Sequence, residues 1–190
     1  MIKELVKSAR SYRAFDESVK IDRDTLLDLV DTARLTSSGR NLQPLKYRLI
    51  YTAEECTTLL PLTAWAAALR DVKLPPEGKA PTAYIIICHD KNILPATEQS
   101  EKDVGIVSEA IILAAAEKEL GGCMIANFGA AKVSEAFSLS DTLVPKLIIA
   151  LGKPDESVVI TEIADGESTS YYRENGIHYV PKRKLEDIII

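Results

Sequence analysis

Arg10-Ser11-Tyr12-Arg13-Ala14-Phe15 sets two guanidinium groups three residues apart with a hydroxyl between them. Guanidinium makes planar, bidentate bonds to phosphate oxygens, and serine adds a neutral donor, so the stretch suits a phosphate. A second basic cluster, Lys182-Arg183-Lys184, stands almost at the other end of the 190-residue chain. Each cluster alone also reads as ordinary solvated surface. Whether the two ends serve one anion depends on how the chain between them folds.

Ile2, Leu5, Val6 and Ala9 recur at i, i+3, i+4, i+7 and predict a helix that delivers Arg10 at its C-terminal end. The dipole there is negative, so side chains must attract the anion. Asp22 is a candidate N-cap, with Ile21 packing on Leu26, for a helix striped by Leu26, Leu29, Val30 and Ala33. Ser37-Ser38-Gly39 closes it, with Gly39 available for a left-handed position. The loop from Ser37 to Pro44 is rich in hydrogen-bonding groups; a polar connection is the plain alternative to a binding loop.

Lys46 to Thr52 alternates as a strand, and a helix starts at Thr52. Thr63 to Arg70 is read as a further short helix, and Leu74-Pro75-Pro76-Glu77-Gly78 as a breaker. The apolar run Ala83 to Cys88 predicts a central strand covered on both faces. Asp103 to Leu120 predicts a helix that is apolar nearly all round, hence buried inside the fold or between two subunits. Gly121-Gly122 stops it, before a brief strand Cys123 to Ala126, a helix Ala131 to Phe137 and a strand Val144 to Leu151. Pro145 is tolerable in that strand only at its start or on an edge. Residues 155 to 181 show little periodicity apart from a strand at Val158 to Ile163. Such a polar tail either wanders over the surface or embraces a partner chain. The whole reads as one domain, 1–190, with no internal linker.

Hydrophobic content of 46%, charged content of 27% and a net charge of −5 are ordinary for a globular protein. They exclude the basic balance of a nucleic-acid binder. No run of 18 apolar residues predicts a membrane span. Met1-Ile2-Lys3-Glu4-Leu5 has no apolar signal region, so the chain reads as cytoplasmic. Cys56, Cys88 and Cys123 are widely spaced without a C-x-x-C, so they read as buried free thiols. His89 and His178 are isolated, and no metal site is expected. No G-x-G-x-x-G follows a strand, and no phosphate-loop or nucleophile-elbow motif occurs. No catalytic side chain is therefore assigned: an enzyme built on this chain would draw its reactive atom from a bound cofactor.

In order along the chain, five segments resemble the nitroreductase family of flavin enzymes. Arg10 to Phe15 resembles the family's R-S-x-R-x-F opening, and Ser37-Ser38-Gly39-Arg40-Asn41-Leu42-Gln43-Pro44 its S-S-x-x-N-x-Q-P loop. The helix from Asp103 into Leu120-Gly121-Gly122-Cys123-Met124-Ile125 is similar to the family's central helix and small-residue turn. Ala150-Leu151-Gly152-Lys153-Pro154 resembles L-G-x-P, and Tyr179-Val180-Pro181-Lys182-Arg183-Lys184-Leu185 the basic C-terminal segment.

The resemblance implies an α+β fold, with a central, mostly antiparallel sheet flanked by helices. It implies a homodimer with FMN at the interface and exchanged C-terminal arms (155–190 here). Arg10, Ser11 and Arg13 would hold the phosphate and ribityl region, with Arg13 also reaching the pyrimidine edge. Lys182 and Arg183 would complete the phosphate site. Ser37, Ser38 and Asn41 would approach from the other subunit, and Ile125, Ala126 and Asn127 would lie beside the isoalloxazine. The implied chemistry is ping-pong: NADH or NADPH gives a hydride to the flavin, and a nitroaromatic, quinone or similar electron-poor acceptor takes it. Flavin-consuming or dehalogenating enzymes on the same scaffold, and a flavin-storage protein with little turnover, are the alternatives.

Three departures from the pattern stand out. Ala9 occupies the place of a second arginine, Leu45 that of an aromatic, and Glu119-Leu120-Gly121 that of G-L-G. The Pro-broken segment between Ala53 and Pro81 is expected to leave an open or mobile pocket roof over 61–80.

Overall fold

The computed structural model describes residues 1–66, 69 and 72–190. Its sheet is assembled on β5, Leu143–Pro154. One side of β5 pairs antiparallel with β3, Ala83–Asp90, which pairs antiparallel with β2, Leu45–Ile50. The other side carries β4, Gly121–Ile125, and then β1, Phe15–Asp16, both antiparallel. β3 is central, as its apolar run predicts, and is fully buried through His89.

Side chains alternate across a pleated strand. Ile85 and Ile87 of β3, with Ile149 and Leu151 of β5, therefore face one layer. That layer is α2 (Arg23–Arg34) and α4 (Glu101–Glu117), contributing Leu26, Leu29, Val107 and Ile111. Tyr84, Ile86, Ile148 and Ala150 face the other way, onto Leu59 of α3 (Ala53–Leu59) and Val133 of α5 (Ala130–Ala136). Two covered faces explain why neither strand alternates in sequence.

Asp22 caps α2 as expected, accepting from Thr25 N at 2.8 Å. The helix then ends at Arg34, earlier than Ser37. Gly39 is not its left-handed terminus; Arg40, Asn41 and Gln43 carry φ of 53°, 58° and 50° instead. Pro145 lies within β5, not at its start. It sits opposite Cys88 at a register irregularity, beyond the reach of β4, which pairs only from Ile148 onward. The missing N–H is thus placed where β5 is an edge.

The first helix, α1 (Ile2–Ser8), packs on α4. It buries none of its own residues; only Ala9 beyond its end is covered. The α4 helix is buried on one face only, and Ile106 on the other is 41% exposed. The short helix expected over Thr63–Arg70 falls partly on residues outside those described. In its described part, Thr63 instead bridges to Phe128. No helix among the described residues is long and apolar enough to cross a membrane.

The tail has more order than its sequence suggests. β6 (Ser157–Ile163) pairs parallel with β8 (Ile177–Arg183), and β7 (Tyr172–Glu174) pairs antiparallel with β8. Tyr172 stacks on Tyr179 across the β7–β8 pair, centroids 5.0 Å apart.

Candidate functional site

After α1 the chain docks on the head of β4. Ser11 bridges to Gly122, and Tyr12 N donates to Gly122 O at 3.0 Å. A Cβ on Gly122 would come within 2.6 Å of Ile112 Cδ1 and 2.9 Å of Ala150 O, so only glycine lets the layers close here. The result is a cleft of about 170 Å³ lined by Arg10, Ser11, Glu109, Ile112, Gly122 and Met124. Arg10 Nη2 donates to Val6 O at 2.5 Å, using a carbonyl at the helix end. Its Nε is buried without a partner. An unsatisfied buried N–H costs about 1–3 kcal/mol, which an anionic oxygen would recover. Cation, hydroxyl and orphaned donor in one cleft fit a phosphate.

Arg13 is only 8% exposed. Its backbone N, and that of Ala14, donate to Glu156 Oε1, the latter at 3.1 Å. Nη1 lies 3.1 Å from both Ser11 O and His178 Nε2. Tyr171 lies against the guanidinium, Cζ 5.1 Å from the ring centroid. Glu156 Oε2 pairs with Arg173, the β7 neighbour of His178. Arg13 Nε, Arg173 Nε and His178 Nδ1 are buried and unpartnered.

The Ser37–Pro44 loop is held by one carboxylate. Buried Asp103, in the first turn of α4, accepts from Ser38 Oγ at 2.7 Å and Gly39 N at 3.0 Å. Ser38 Oγ in turn accepts from Gln43 N at 3.0 Å. Ser37, Ser38, Gln43, Tyr47 and Asp103 border a second cavity of about 190 Å³. Burial, and then Asp103, push the Tyr47 phenol up to about 12.

Ile125 is buried, while Ala126 and Asn127 are exposed. Asn127 O accepts from Ala64 N at 2.9 Å, tying the loop after β4 to the start of the expected roof. Lys182 and Arg183 close β8 on the surface, with Arg183 Nη1 3.8 Å from Asp165 Oδ1. The structure thus brings Arg10 and Ser11 together and places Arg13 beside them. Ser37 and Ser38 border a separate cavity, and Lys182 and Arg183 do not line the Arg10 cleft of their own chain.

His89 and the thiols of Cys56 and Cys88 are engaged by the fold. His89 is buried, donating from Nε2 to Leu94 O at 2.5 Å, with Nδ1 2.7 Å from Ser100 Oγ. Burial pushes the Cys56 and Cys88 thiols up to about 11, away from nucleophilic thiolate. Asp103, Glu156 and His178 are the residues that sequence reasoning missed. Asp103 was visible only as an acidic residue opening a helix, and Glu156 and His178 carried no local signal.

An antiparallel sheet sandwiched by helices, with an arginine–serine cleft at the glycines that open β4, defines an α+β domain of the nitroreductase type. The sequence model described as "Nitroreductase family" matches residues 6–153, and the chain belongs to that family. It is 24% identical to a Bacillus subtilis (strain 168) protein whose name, given by inference, is NAD(P)H nitroreductase YodC. That match covers 79% of this chain and 88% of the relative. A solved nitroreductase family protein from Clostridium difficile 630 is 26% identical, TM-score 0.64, covering 80% of this chain and 84% of that one. An FMN-dependent nitroreductase from Clostridium difficile R20291 shares the fold at 21% identity, TM-score 0.66, covering 83% and 89%.

Proposed function

We propose that the chain is an FMN-dependent NAD(P)H oxidoreductase working as a homodimer. It takes a hydride from NADH or NADPH and reduces a nitroaromatic, quinone or similar electron-poor acceptor by a ping-pong sequence. The observation that carries this reading is the Arg10–Ser11 cleft with its orphaned Arg10 Nε, built where the chain docks on Gly122 of β4. FMN, when bound, supplies the hydride-accepting and hydride-donating centre. The chain supplies grip and position.

In this reading Arg10 and Ser11 hold the phosphate region, and Arg13 meets the pyrimidine edge. Ile125, Ala126 and Asn127 border the ring. Ser37, Ser38 and Asn41 reach it from a second copy, and so do Lys182 and Arg183. Dimerisation is supported by the apolar surface that one chain leaves open. Ile2 is 66% exposed and Ile106 is 41% exposed, on two helices that pack together, and Met124 beside the cleft is 37% exposed.

The test is titration of FMN into flavin-free protein, with molar mass measured in parallel. The expected result is one FMN per chain on a dimer. A protein that binds no FMN overturns the reading.

A further inference from the structure

We propose that Glu156 and His178 are positioning residues that hold Arg13 with the Nη2 edge of its guanidinium left open to the cofactor. The proposal rests on the reading above, in which Arg13 meets the flavin. Arginine is a long, flexible side chain, and fixing it on binding costs affinity unless the protein has fixed it beforehand. Here Nη1, one face and the backbone are already held. Both Nη1 donor directions are taken, by Ser11 O and His178 Nε2 at 3.1 Å each. Tyr171 covers a face of the guanidinium. Glu156 anchors the backbone of Arg13 and Ala14, and is itself fixed by Arg173. Nη2 makes no hydrogen bond among the described residues, and it is not among the buried unpartnered atoms. Nη2 is therefore a donor left open for a ligand, while Nε is buried and unpartnered.

Glu156, Tyr171, Arg173 and His178 all lie beyond residue 153, where the family match ends. The clamp is thus made by the C-terminal segment, which supports from behind a residue of the opening motif. His178 accepts through Nε2, a role that a glutamine side-chain oxygen can fill at nearly the same place and phenylalanine cannot.

The experiment measures FMN dissociation constants by flavin fluorescence for wild type, His178→Phe, His178→Gln, Arg13→Ala and the double variant Arg13→Ala/His178→Phe. His178→Phe is expected to weaken FMN binding about tenfold, as for one side chain left to be immobilised on binding. His178→Gln is expected to stay within about twofold of wild type, and His178→Phe to add nothing in the Arg13→Ala background. Should His178→Phe fail to fold, Tyr171→Leu is read in its place, with weakening that likewise vanishes in the Arg13→Ala background. Unchanged affinity in His178→Phe, or an equal loss with and without Arg13, overturns the clamp. Wild type that binds FMN while Arg13→Ala binds it equally well overturns the clamp and leaves the flavin reading standing. Wild type that binds no FMN overturns both.

Discussion

Arg13 Nη1 and His178 Nε2 lie 3.1 Å apart, joining positions 165 residues distant in the chain. A guanidinium can only donate, so Nε2 accepts and the ring proton sits on Nδ1. The imidazole is therefore neutral in the folded protein. Burial first, then Arg13 and Arg173, push its pKa down to about 4 from the usual 6.5.

This contact has a pH signature. The folded-state pKa lies below the unfolded one, so the unfolded chain binds more protons between about pH 6.5 and about pH 4. The stability from neutral His178 is complete above that window. It declines as pH falls through it, and is lost below the folded pKa. Urea midpoints measured from pH 7 to pH 4.5 are expected to drop more steeply for wild type than for His178→Gln. Parallel profiles would show that the ring does not titrate against the two arginines.

Asp103 is expected to control the Ser37–Pro44 loop. Asp103→Ala removes a buried acceptor of two hydrogen bonds, leaving Gly39 N and Ser38 Oγ to find others. Hydrogen bonds to a charged group contribute about 1.5–3 kcal/mol each, and the lost pair is expected to cost about 2–4 kcal/mol in urea unfolding. Asp103→Asn keeps an acceptor for Gly39 N and is expected to cost about half as much. Equal costs for the two variants would mean that the carboxylate does not organise the loop.

Gly152 sits against the ring of Phe15, which is fully buried. A Cβ there would meet Phe15 Cδ1 at 2.7 Å, Cγ at 2.9 Å and Cβ at 3.0 Å. Phe15 and Gly152 belong to adjacent strands, β1 and β5, which leaves the ring little room to move away. Gly152→Ala is expected to cost about 1–3 kcal/mol, measured by calorimetry. A neutral result would show that Phe15 repacks freely.

Arg10→Ala is expected to weaken FMN binding about tenfold to a hundredfold, because the phosphate loses a charge-assisted partner of about 1.5–3 kcal/mol. Equilibrium dialysis measures it. Unchanged affinity would return Arg10 to the solvated-surface reading.

Local signals served the sequence reading well where structure is local. Asp22 capped its helix, and Ala83–Cys88 marked the strand covered on both faces. Gly121-Gly122 did not stop the long helix, which ends at Glu117; Glu119 turns the chain with φ 56°, and the two glycines open β4. Long-range partners were invisible. Nothing near Arg13 in sequence announces Glu156, or His178 165 residues away. The parallel β6–β8 pair is likewise a non-local contact, and its strands are half exposed and short of core residues, so their pattern is weak. Gly39 misled because glycine usually takes the left-handed position. Here its N–H serves Asp103, and Arg40, Asn41 and Gln43 take up the curvature.

Hydride transfer through bound flavin is read by an anaerobic absorbance measurement. FMN-loaded protein is mixed with NADH, and separately with NADPH, without oxygen, and the yellow oxidised-flavin band is followed. Rapid bleaching is expected with at least one donor, and return of the band when a quinone or nitroaromatic is added. Flavin that stays bound and yellow with both donors would contradict it and leave a flavin-binding protein without turnover.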